Sequence, residues 1–118
     1  MSIETDFRAW LTGNAGVTAL VPAASISQNE VAEGVAPPYI AFEVTRTPEY
    51  GLDNTVHATA CVARVGCWAT SPGPADAAAD AVAAALALQG VVITQRATTF
   101  NPETGLDGTV LTAEWWDT

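Results

Sequence analysis

Lysine is absent from this chain, and four arginines carry all of its fixed positive charge: Arg8, Arg46, Arg64 and Arg96. Tight binding to duplex nucleic acid neutralises many phosphates at once, and four scattered guanidinium groups cannot draw such a patch. Thirteen acids bring the formal net charge to −9, a balance that repels nucleic acid and gives no purchase on anionic lipid. Charged residues of either sign make up 14%, low against the usual quarter or so. Cys61 and Cys67 are the only cysteines. Six residues apart on one strand they would stand about 20 Å apart, beyond disulfide reach. They read as small buried hydrophobes in a reducing compartment. The single histidine, His57, excludes the usual metal-ligand sets and has no acid or nucleophile at a recognisable catalytic spacing. Ser2, Ser25, Ser27 and Ser71 lack the nucleophile-elbow pattern. No apolar run is long enough to span a bilayer as a helix. Met1 to Asp6 is acidic and reads as neither a signal peptide nor an anchor, so a cytosolic product is expected.

What is present is apolar and rich in β-forming residues. Hydrophobic side chains make up 49% of 118 residues, which suits one domain over residues 1–118 with one core. Ile3, Phe7, Trp10 and Leu11 share a stripe at helical spacing, with Glu4 and Asp6 in the first turn, where the helix dipole favours acids. Gly13 and Asn14 stop that helix, and Ala15 to Val21 forms a second short turn. Ser25 to Gln28 reads as a brief strand and Asn29 to Pro38 as a loop. Tyr39 to Arg46 alternates as a strand, with Ile40, Phe42 and Val44 on one side. Pro48 to Thr55 reads as a polar hairpin loop. Val56 to Trp68 is a long strand of mixed parity, suggesting burial on both faces or a bulge near Gly66. Pro74 opens an alanine-rich helix to about Leu88, with Gly90 as its stop. Ala75, Ala78, Ala79, Val82 and Leu86 form its inward stripe. Val91 to Phe100 is a strand, Asn101 to Gly108 a turn, and Thr109 to Trp116 the last strand. The expected fold class is α+β: a mostly antiparallel sheet of four to five strands, with one long helix and a short N-terminal helix packed on it.

Little of this carries chemistry. Asp76 and Asp80 lie one turn apart and read as solvated or capping acids near a helix start. Glu30 and Glu33 read as solvated loop acids. Gly105 and Gly108 flank a turn and show no phosphate-cradle pattern. No cofactor and no metal is expected. Trp115 and Trp116 are adjacent on a strand and point to opposite faces, so one joins the core and the other meets solvent or a neighbour. Glu114 and Asp117 beside them do not suit stacking on nucleic acid.

Several segments in order carry a resemblance: Glu4 to Leu11, Gly16 to Val21, Ala36 to Phe42, Ala63 to Ala69, the alanine helix, Asn101 to Leu106, and the terminal tryptophan strand. With these the chain resembles the tail terminators, small tail-completion proteins of long-tailed phages and gene-transfer agents. The resemblance covers nearly the whole chain and includes no catalytic signature. It implies a non-enzymatic virion protein, made in the host cytoplasm and placed at the head-proximal end of the tail. It implies a homo-oligomeric, hexameric ring that caps the tail tube and meets connector or neck proteins. DNA would pass through an acidic channel without specific binding, and no membrane is involved. Cyclic association joins one patch to a different patch on the next copy, and strand edges would be covered there. The expected interface is Arg46 with Glu49, Tyr50, Leu52 and Asp53 in the hairpin, plus the outward Trp116. The alternatives are a head-tail connector or neck component, and a small α+β binding module with a defined pocket.

Overall fold

The computed structural model describes residues 3–29, 36–52 and 56–117. Helix α1 (Ile3–Thr12) is followed by the single turn α2 (Ala15–Thr18), a 3-10 turn (Ala23–Ser25) and the short strand β1 (Ile26–Gln28). Strands β2 (Tyr39–Tyr50) and β3 (Val56–Ala69) make a long hairpin; helix α3 (Pro72–Ala87) and the pair β4 (Val92–Asn101) and β5 (Leu106–Asp117) follow. The five strands form one sheet in the order β1-β2-β3-β5-β4. Only β1 against β2 is parallel; the other pairs are antiparallel. The fold is thus α+β, with a mixed, mostly antiparallel sheet.

Local chemistry explains the punctuation. Asn14 caps α2 by accepting hydrogen bonds from the backbone N–H of Gly16 and Val17 at 2.9 and 3.2 Å. Pro72 and Pro74 lie in the first turn of α3, where a missing N–H costs nothing. The helix ends where Gly90 takes φ 74° and the Val91 N–H returns to the Leu86 carbonyl at 3.1 Å.

The helices of the described residues pack on one face of the sheet. Ala63, Val65 and Cys67 of β3, Ile40 and Phe42 of β2, and Leu111 and Ala113 of β5 are buried against Phe7, Leu11, Val82 and Leu86. Ala75, Ala78 and Ala79 bring α3 close to the strands, because alanine leaves no bulk between backbone and sheet. Phe7 is the hub that fixes α1. Its ring stacks on Trp115 at 5.3 Å, tilts against Phe42 at 5.0 Å and meets Trp10 edge-on at 5.9 Å. Arg8 ties α1 to the start of β1 by donating to the carbonyls of Ile26 and Ala23, both at 3.0 Å.

The structure corrects several expectations. Pro48, Glu49 and Tyr50 belong to β2 and not to a loop. Proline is tolerated there because, among the described residues, no strand pairs with the outer side of β2 beyond Phe42. Strand β5 begins at Leu106 and not at Thr109, so Gly108 is a strand residue and the turn before it is shorter. No register break falls at Gly66; the irregularities lie at Glu49/Tyr50 and at Ile93/Gln95. Asp76 and Asp80 are not free solvated acids. Asp80 accepts from Arg96 of β4 at 2.7 Å, and Asp76 accepts from the Thr109 hydroxyl of β5 at 2.7 Å. They pin α3 to the last two strands. Glu30 and Glu33 lie outside the described residues.

Candidate functional site

Among the described residues, no helix lies over the side of the sheet away from the helical layer. Its rows follow from the register: Tyr39, Trp68, Gly108 and Thr99; Ala41, Gly66, Val110 and Ala97; Glu43, Arg64, Thr112 and Gln95; Thr45, Val62, Glu114 and Val92. Small, apolar and hydroxyl side chains dominate. Arg64 is the one cation in these rows, 3.9 Å from the Glu43 carboxylate, with both side chains more than half exposed. At that distance and exposure the pair contributes little to stability, and the guanidinium remains available to another carboxylate.

Trp68 organises one end of this face. A methyl group placed at Gly66 would come within 2.7 Å of the Trp68 ring nitrogen, and one at Gly108 within 2.7 Å of two ring carbons. The indole therefore lies flat over two glycines on adjacent strands, filling space that side chains would otherwise take. At the other end Ala60, Val62, Val92, Glu114 and Trp116 line an open cleft of about 330 Å³. Trp116 is 60% exposed and Val92 61%.

The β2–β3 hairpin extends beyond the rest of the sheet. Strand β5 ends its pairing at Asp117 opposite Thr59, whereas β2 and β3 continue to Tyr50 opposite Val56. The molecule is accordingly elongated, 51 × 29 × 25 Å. At the tip of this arm Tyr50 and Leu52 are fully or largely exposed.

The expected interface residues fall in different places. Glu49 and Trp116 lie on the uncovered face, and Tyr50 and Leu52 at the arm tip. Arg46 points to the helical side, where it pairs with Glu4 at 2.8 Å and braces the base of the arm against α1. Asp53 and the His57 side chain lie outside the described residues. Arg64 and Trp68 were not singled out from the sequence for this surface. The signal available was parity: both share a β3 face with Val62 and Gly66, opposite to the cysteines.

Reactive chemistry is muted. Burial pushes the Cys67 thiol up to about 12, only slightly offset by Arg96. Burial, helped by the nearby Asp117 carboxylate, also raises the Cys61 thiol. Both are free cysteines and remain protonated near neutrality, which makes poor nucleophiles. Among the described residues no cluster of histidine, cysteine and acids could hold a metal ion, and no helix is long and apolar enough to cross a membrane.

The architecture defines a class: a small α+β protein with helices on one sheet face and a hairpin arm projecting from the body. The family model for tail completion protein gp17 matches residues 5–117, and the chain belongs to that family of phage tail completion proteins. Membership makes it a virion component that associates with other tail proteins. No curated protein matches the chain.

Proposed function

We propose that this protein caps the completed tail tube as a ring of identical copies, hexameric in number, and presents the surface to which the head is joined. Family membership supports the place in the tail. The observation that carries the ring is the pairing of two unlike features on one chain: a protruding arm and a sheet face without a helix layer. A cyclic assembly joins unlike patches head to tail, and the chain has one of each. Among the described residues no strand pairs with the outer edges of β4 and of β2 past Phe42, and neighbours or tube would cover them. A net charge of −9 suits a ring through which DNA passes without adhering. The protein acts by shape, with no catalytic step.

The test is growth of tail tubes in vitro. Tubes polymerised with the protein should stop at a defined length and carry it at one end. Binding to filled heads but never to tubes would replace this reading with that of a neck or connector component.

A further inference from the structure

We infer that the hairpin arm of one copy seats on the uncovered sheet face of the next, with Glu49 meeting Arg64 and the tip entering the cleft beside Trp116. The inference rests on the ring reading and names its contact. Charge selects the occupant. In a chain of net charge −9, Arg64 is an exposed cation whose own partner, Glu43, stands at the outer limit of an ion pair, 3.9 Å away. Glu49 is an exposed acid on the arm with no ion pair among the described residues. The other three arginines are engaged at close range. Arg8 donates to two carbonyls, Arg46 pairs with Glu4, and Arg96 pairs with Asp80.

Spacing and polarity agree with the charge. Strand residues two apart on one face are about 7 Å apart, and three residues of extended chain span about 10 Å. With Glu49 at Arg64, the tip at Leu52 therefore falls over the Val62–Val92 row, short of Trp116. Leu52, fully exposed in the isolated chain, would be covered there by Val92 and Trp116. Glu114 is the one charged residue lining that cleft among the described residues, and its otherwise uncharged lining suits the apolar Leu52. Within one molecule the arm runs away from this cleft, so the contact can form only between copies. It is heterologous and repeats around a ring.

A charge swap tests it. Purified wild type, Glu49→Arg, Arg64→Glu and the double variant are each titrated onto tail tubes, and the capped fraction is counted by electron microscopy. Each single variant should lose capping at least tenfold, and the double variant should recover most of it. Circular dichroism should show all four folded, since both side chains are exposed. Single variants that cap like wild type, or a double variant no better than the singles, would overturn the contact while leaving the ring reading intact. Wild type that never caps tubes would remove both.

Discussion

Replacing Gly108 with alanine should destabilise the protein because of one distant residue, Trp68. The added methyl would stand 2.7 Å from two carbons of the indole, well inside contact distance. Either the ring leaves its seat over Gly66 and Gly108, or β3 and β5 shift apart. Overpacking of this kind costs about 1–3 kcal/mol, and a ring swung into water forfeits packing of similar size. We expect about 2 kcal/mol, a fall in melting temperature of roughly 8 °C for a chain of this length. The background decides the interpretation. In Trp68→Ala the obstruction is gone, and alanine in place of strand glycine should then be neutral or stabilising by about 0.5 kcal/mol. Urea denaturation of wild type, both single variants and the double variant gives the coupling directly. An equal cost for Gly108→Ala in both backgrounds would refute the account of Trp68 as a lid over two glycines.

Three further outcomes follow from the same geometry. Leu86→Ala removes a fully buried side chain between α3 and the sheet and should cost about 2–5 kcal/mol in chemical denaturation. The Cys67 thiol ionises at about 12 in the fold against 9.0 when free. The unfolded chain therefore loses that proton first, and stability should fall by about 1.4 kcal/mol per pH unit between these values. The decline should be shallower in Cys67→Ala, with Cys61 adding a weaker trend of the same sign; identical slopes would contradict the assignment. Arg96→Gln breaks the link from β4 to Asp80 and Asp76. Because these groups are partly exposed it should cost only about 1 kcal/mol, read as a small shift in urea midpoint.

Much of the fold was legible where one physical signal dominated. The stripe of Phe7 and Leu11, the alternation of Ile40 and Phe42, and the inward line Ala75, Ala78, Ala79, Val82 and Leu86 are all buried as the sequence pattern implies. Other features depend on contacts far along the chain. Gly108 looks like a turn residue until Trp68 is seen to occupy its side-chain space. Pro48 looks like a loop residue until β2 is seen to pair there, among the described residues, on its β3 side alone. Asp76 and Asp80 look solvated until β4 and β5 bring Arg96 and Thr109 beside them. The parallel pairing of β1 with β2 left no local trace. Of the candidate surface, the outward Trp116 and the presence of a hairpin were readable, but not that β2 runs on as a paired strand to Tyr50. Arg64 required the register to reveal it as the one cation on that face among the described residues.

The most direct test of the account is cryo-electron microscopy of tail tubes incubated with the purified protein. The expected image is extra density at one tube end only, a closed ring of identical copies with each arm lying across the sheet of its neighbour. Density along the whole tube, or binding confined to heads with tube ends left open, would contradict it.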